Sequence, residues 1–175
     1  MQCTAVQPLK IYDYLVLARQ RILDKVRMLS PEQYAQPMEI GHGSLDRTLT
    51  HILASEWYYV QRLLRREVPP YEQWAIRWEE PPTFATLEAA WVKQADETRA
   101  AIESVRDWLE PIEYRVTTDD GRRLIVTASA VDIITQLALH EVHHRAQVMN
   151  MLTRFGAGVG DIDYNLLMYQ RRDAE

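Results

Sequence analysis

The sequence predicts an all-α protein: a four-helix bundle with a small β-hairpin inserted before the last long helix. Three observations lead to this prediction. Four long segments place apolar residues at steps of three and four, one short segment alternates apolar and polar residues, and capping or turn residues separate the segments. The chain has 175 residues, the length of one ordinary domain, so we expect residues 1–175 to form a single domain.

The first half of the chain contains two of the long segments. Residues 8–29 carry apolar side chains at helical intervals with charged residues between them. Ser30, followed three residues later by Gln33, has the capping-box pattern of a short second helix. Ser44 is a candidate N-cap for the next long helix, which we expect to run to about Arg65.

The second half contains the other two long helices and the hairpin. A proline- and tryptophan-rich connection over 71–82 is expected to fold over the domain, and a long helix follows over 86–109. Alternating residues around an Asp-Gly turn predict a hairpin within 112–126. A capping box opens the last long helix, 129–155, and 161–169 is expected to add a short tail helix or a strap.

The composition is that of a folded globular protein, with 47% hydrophobic and 26% charged residues, which excludes disordered and collagen-like classes. A net charge of -5 gives no general attraction to nucleic acid or to anionic membranes, so we expect neither partner. No apolar run reaches the roughly 18 residues of a membrane span. The single cysteine, Cys3, cannot form an intramolecular disulfide. We therefore expect a cytoplasmic protein that acts on small molecules.

The strongest chemical signal is the run His140–His144 in the last long helix. At about 100° per residue, His140 and His144 share the core-facing stripe and His143 lies off it. Two imidazoles at this spacing can meet one metal ion, whereas two buried neutral rings without a metal would need separate hydrogen-bond partners. His51, at the edge of the buried stripe of the second long helix, is the candidate third ligand.

The same run, beginning with His140-Glu141, also matches H-E-x-x-H, the signature of zincin peptidases, in which the glutamate is the general base. The longer metzincin form needs glycine and histidine where this chain has Gln147 and Asn150. A zincin also needs a substantial sheet, and one hairpin does not supply it. Glu141 remains the candidate catalytic residue, as a base or as the partner that orients a histidine. The structural alternative is a salt bridge to Arg145 or another arginine.

Several other polar and aromatic residues could have either a structural or a functional role. Glu56 lies near the middle of an apolar stripe and needs a buried partner. His42, in a glycine-containing loop, is expected to be exposed. Five aromatic residues are candidates for a pocket wall or for core packing: Trp57, Tyr58, Tyr59, Trp74 and Trp78.

Two helical segments, 49–57 and 139–148, resemble the DinB/YfiT-like superfamily of metal-binding four-helix bundles. The most specific part is the late H-x-x-x-H-R-[GA]-Q element, preceded by a glycine-containing β-insertion at 118–121. The resemblance implies a divalent metal, zinc or nickel, and it favours His144 over His143 as a ligand. The ligands that it implies are His51, His140 and His144.

The function that this resemblance implies is metal-dependent transfer of a low-molecular-weight thiol, or of water, to a small electrophile. Related enzymes include bacillithiol-type S-transferases and mycothiol-dependent maleylpyruvate isomerases. Three neutral imidazoles leave the ion its full charge and an open position, which lowers the pKa of a bound thiol or water. The alternative of another class is a non-catalytic metal- or ligand-binding protein in stress response. An exposed helical face could pair two copies of the chain, so a homodimer is one possible oligomeric state.

Overall fold

The predicted fold class is confirmed by a computed structural model, which describes residues 7–118 and 120–173; Cys3 lies outside them. Six α-helices and one hairpin follow one another in this part of the chain. They are α1 (Pro8–Val26), α2 (Pro31–Tyr34), α3 (Leu45–Leu63), α4 (Phe84–Ser104), β1 (Pro111–Thr117), β2 (Arg123–Ser129), α5 (Ala130–Arg154) and α6 (Tyr164–Met168). The connection between α3 and α4 is irregular except for one 3-10 turn, Tyr71–Gln73.

The ends of the elements follow local chemistry. Both capping boxes form, with Ser30 accepting from the backbone of Gln33 and Ser129 from that of Asp132. Ser44 is the N-cap residue of α3, but its hydroxyl donates to the Asp46 carboxylate instead of capping the helix backbone.

Helix α4 ends earlier than the apolar pattern predicts, at Ser104 rather than Leu109. Val105 has an extended backbone, with φ -70° and ψ 120°, yet its side chain still packs against the core. The apolar step at Val105 therefore marked a partly buried side chain outside the helix.

The four long helices α1, α3, α4 and α5 form the bundle. Helix α1 packs against α4 and α5, and α3 packs against the same two helices, so α1 and α3 lie across the bundle from each other. The hairpin pairs Tyr114 with Val126 in an antiparallel register, and buried Ile112 attaches it to the core. At the other end of the chain, α6 packs on α1, with the rings of Tyr14 and Tyr164 5.1 Å apart.

The buried apolar residues form two clusters, one toward each end of the bundle. Representative members of the first are Ile22, Leu49, Trp91 and Val148. Representative members of the second are Leu15, Val60, Ile102 and Ile133. The first cluster takes the later part of α1 and α5 but the earlier part of α3 and α4. Helices α1 and α5 therefore run in one direction, and α3 and α4 run in the opposite one.

A layer of buried polar side chains separates the two clusters, and its centre is Glu56 of α3, which is 2% exposed. One carboxylate oxygen accepts hydrogen bonds from Tyr12 at 2.6 Å and Thr98 at 2.7 Å. The other accepts from Arg19 at 2.6 Å and from the Trp91 indole at 3.4 Å. These donors lie on α1 and α4, so Glu56 connects three helices.

Arg19 extends the layer to the fourth helix, because its Nη2 also donates to Glu141 of α5 at 2.5 Å. Burial disfavours the charge on Arg19, but the carboxylates of Glu141 and Glu56 outweigh burial and raise the pKa of Arg19. Arg145, also on α5, donates to the hydroxyl of Tyr14 at 2.5 Å. Within this layer, the charges of Arg19 and Arg145 thus balance those of Glu56 and Glu141, as burial of charge requires.

Within the described residues, no helix combines the length and the apolar character that crossing a bilayer requires.

We predict that Glu56→Gln lowers the free energy of unfolding by about 3 kcal/mol, because Glu141 alone would then balance two buried arginines, Arg19 and Arg145. Urea denaturation followed by circular dichroism measures this change. Glu110→Gln is the matched control, since it breaks an exposed ion pair with Arg65 and should change stability little. A loss for Glu56→Gln as small as that of the control would show that the polar layer does not stabilise the fold.

Candidate metal centre

The site is built where α3 packs against α5. His51 comes from α3, and His140 and His144 come from successive turns of α5; all three are partly buried. The Nε2 atoms of His51 and His140 are 3.0 Å apart. The ring of His144 lies 4.6 Å from that of His51 and 4.5 Å from that of His140. The structure therefore brings the three sequence-predicted ligands together.

A fourth histidine, His42, completes the cluster. Its ring centroid lies 3.9 Å from that of His51 and 5.3 Å from that of His144. Nitrogen atoms of His42, His51 and His144 all lie within 4.8 Å of one another, close enough to hold one metal ion. His140 is not a member of this group of three, but its Nε2 lies 3.0 Å from that of His51.

The expectation that His42 is exposed was therefore wrong: the residue is partly buried against other imidazoles. Helical spacing could not predict this, because His42 lies in a loop before α3 and its position depends on how that loop turns. The only signal in the sequence was a histidine between two glycines, shortly before the helix that carries His51.

The backbone of this loop is fixed by close contacts. The amide of His42 donates to the hydroxyl of Thr48 at 3.2 Å, and that hydroxyl donates to the carbonyl of Ser44 at 2.7 Å. Gly41 has φ +56°, and a Cβ there would lie 2.9 Å from both Thr48 Oγ1 and Gln147 Oε1. Only glycine fits at this point, and its fit lets the loop approach α5.

His144 is oriented by Gln147 on the next turn of α5. The side-chain oxygen of Gln147 lies 2.8 Å from His144 Nδ1, and its nitrogen lies 3.3 Å from Nε2 of the exposed His143. An amide oxygen only accepts, so His144 Nδ1 carries the proton and its Nε2 keeps a free lone pair. A partner of this kind typically fixes the tautomer of a metal-binding histidine.

Burial favours the neutral form of the four clustered imidazoles, because it lowers the pKa of each. Burial lowers the pKa of His51 to about 3, with a further contribution from His42, and burial lowers that of His140 to about 4. Burial also lowers the pKa values of His42 and His144. Neutral imidazole is the form that binds a metal.

The donor set fits a transition metal. Two imidazole nitrogens on one tetrahedral zinc ion lie about 3.3 Å apart, from Zn–N distances near 2.0–2.1 Å. The 3.0 Å separation of the His51 and His140 nitrogens is close to that value. Imidazole ligands suit zinc, nickel, copper and iron, so the ligand type alone does not choose among them.

Glu141 lies beside His140 in the sequence but in a different environment. It is 3% exposed and accepts from Arg19 inside the bundle. Burial raises the pKa of Glu141 more than the neighbouring Arg19 lowers it. The arginine that binds Glu141 is Arg19, on α1, whereas Arg145 donates to Tyr14.

The candidate aromatic residues separate into two groups. Tyr59 lies 5.8 Å from the ring of His140, and Trp78 lies 4.8 Å from the ring of His42. Trp57 and Tyr58 both pack on Trp74, and Tyr58 also contacts Tyr59, with ring centroids 5.5 Å apart. The connection between α3 and α4 thus brings Trp78 to the histidines and Trp74 to the outer face of α3.

These features define a four-helix bundle with a histidine cluster between its second and last long helices. The model of the DinB family matches residues 1–174, essentially the whole chain. The chain therefore belongs to the DinB family. Among curated proteins, none matches the chain significantly.

We predict that Gly41→Ala disturbs the histidine cluster. Its Cβ would need to displace Gln147 or Thr48, in addition to the strain of a positive φ. Gly160→Ala is the matched control, because Gly160 also has a positive φ, +76°, but has no atom within 4 Å of the added Cβ.

Nuclear magnetic resonance of the imidazole protons measures the difference between the two variants. We expect the resonances of His42 and His144 to shift in Gly41→Ala and to stay in place in Gly160→Ala. Equal spectra for the two variants would contradict the close approach at Gly41.

Proposed function

We propose that this protein is a metal-dependent enzyme that transfers a low-molecular-weight thiol, or water, to a small electrophilic substrate. The observation that carries the proposal is the convergence of neutral imidazoles from α3 and α5, in a chain that belongs to the DinB family. His51, His140 and His144 are the proposed ligands of a divalent ion, zinc or nickel.

Several features of these residues support metal binding. The Nε2 atoms of His51 and His140 are 3.0 Å apart, and nitrogens of His51 and His144 lie within 4.8 Å of each other. The lowered pKa values of the three rings favour the neutral form, whose lone pairs bind a metal. Gln147 holds His144 in the tautomer that leaves Nε2 free. A neutral imidazole carries no charge, so an ion held by these three rings would keep its full positive charge.

A divalent ion held by these residues would supply Lewis acidity, which lowers the pKa of a bound thiol or water. The protein's own residues would orient the substrate and enclose it. Tyr59 and Trp78 contribute aromatic faces beside His140 and His42, respectively, and such faces suit a small organic substrate.

Glu141 is a poor candidate for the base that a zincin mechanism needs. Its described hydrogen bond is to Arg19, within the layer that crosses the bundle, rather than to a histidine. A general base must come within hydrogen-bond reach of the proton that it takes. This position favours the structural interpretation of Glu141 over its proposed catalytic role, and it disfavours the peptidase alternative.

A second function, non-catalytic metal binding, is favoured by one observation, the proximity of His42. Four nitrogen ligands close a zinc site, whereas catalytic sites keep a position open for water or substrate. Catalytic turnover distinguishes the two functions, because only the metal-dependent enzyme would show it.

The metal proposal predicts that the wild-type protein, purified without an affinity tag, binds about one equivalent of metal per chain. Inductively coupled plasma mass spectrometry gives this content. His51→Ala, His140→Ala and His144→Ala should each reduce it strongly, because each removes a ligand. His143→Ala is the matched control and should retain it, since His143 is exposed beside the cluster. An empty wild-type protein after reconstitution would contradict the proposal.

The catalytic proposal predicts that the metal-loaded protein accelerates substitution of the halide of a chromogenic halo-dinitrobenzene by the thiol of free cysteine, with the halide released and the proton passing to the buffer; absorbance measures the product. Removing the metal with a chelator should abolish the acceleration, and adding it back should restore it. Metal binding without turnover across a broad panel of electrophiles would favour the non-catalytic function instead.

A further inference from the structure

We infer that His42 is a fourth metal ligand in the resting protein, and that a small-molecule ligand must replace it to reach the ion. This inference rests on the proposed function, because it assumes that the other histidines hold a metal. It adds a ligand from outside the two helices that carry His51, His140 and His144, and it makes access to the ion depend on the loop before α3.

His42 lies close to the histidines that are proposed to hold the ion. His42 has the shortest ring-to-ring distance to His51, 3.9 Å, and its nitrogen lies within 4.8 Å of nitrogens of both His51 and His144. An ion that His51 and His144 share is thus within reach of His42. A three-histidine site leaves a fourth tetrahedral position, and an imidazole already beside it competes with water for that position.

Neighbouring residues hold His42 toward the histidine cluster. Thr48, fully buried, accepts the hydrogen bond of the His42 amide, and Gly41 permits the loop to pack against Gln147. Trp78 covers the ring from the side of the α3–α4 connection, at 4.8 Å. These contacts are all made by groups of the protein itself, so His42 loses little freedom when it meets an ion.

The ring of His42 can also move out of the histidine cluster. It is on a loop rather than on a helix, and both flanking residues, Gly41 and Gly43, are glycines with positive φ. Glycine accepts several backbone conformations, so the loop can change shape by giving up the hydrogen bond to Thr48, and no helix is broken. His51, His140 and His144 lie within long helices and have no such freedom. His42 is therefore the ligand that an incoming thiolate would displace, the proton of the thiol passing to the buffer.

Cobalt(II) loading of the full chain tests this inference, because visible absorption reports the ligand number and type around cobalt. We expect His42→Ala to change the bands and to bind cobalt at least about tenfold more weakly, since even the loss of an outer partner costs that much. The control, His143→Ala, should match the wild type in both.

Mercaptoethanol then probes access to the ion through the thiolate-to-cobalt band. The wild type should need several-fold more thiol than His42→Ala for half-saturation, because only the wild type must release an imidazole. An equal thiol requirement in the two proteins would overturn the displacement step.

A second variant covers the case in which His42→Ala folds poorly. In a Cys3→Ser background, His42→Cys should show the thiolate-to-cobalt band without added thiol, whereas His143→Cys should not. If the wild type binds no cobalt, the proposed metal site itself fails. If the wild type binds cobalt and His42→Ala has the same spectrum and affinity, only the role of His42 fails.

Discussion

The ion pairs of Arg19 with Glu56 and Glu141 are the interaction on which the rest of the structure depends. They join α1, α3 and α5, and the hydrogen bonds from Trp91 and Thr98 add α4. A buried charge is costly unless it is fully paired, so a shift of one helix along its neighbours would leave carboxylates or the guanidinium without partners. The layer thus selects one register among the many that two apolar clusters alone would permit.

The same layer determines where the histidines lie. Because Glu141 must meet Arg19 inside the bundle, the rest of that turn of α5 has a fixed rotation about the helix axis. His140 and His144 then meet His51, which is less than two turns before Glu56 on α3. Helices α3 and α5, which carry the three proposed ligands, are therefore both held in place by the polar layer of the core.

Much of the fold was predictable because its signals are local. Apolar spacing gave the four long helices, alternation gave the hairpin, and both capping boxes form as their sequences indicate. Helical geometry also separated His140 and His144 from the exposed His143. The partner of Glu141 was not predictable in this way, since Arg19 is distant in the chain and several arginines were available. His42 was missed for a different reason: it lies in a loop, and a loop has no helical period from which the direction of a side chain can be predicted.

Placement of three histidines by two helices is the central claim, and direct location of the ion tests it best. Crystals of the full chain grown with zinc, and measured on either side of the zinc absorption edge, would locate the ion by anomalous scattering. The account predicts a peak bonded to nitrogen atoms of His51, His140 and His144. Peaks only outside the cluster, or a peak in the cluster without His140 as a ligand, would contradict it.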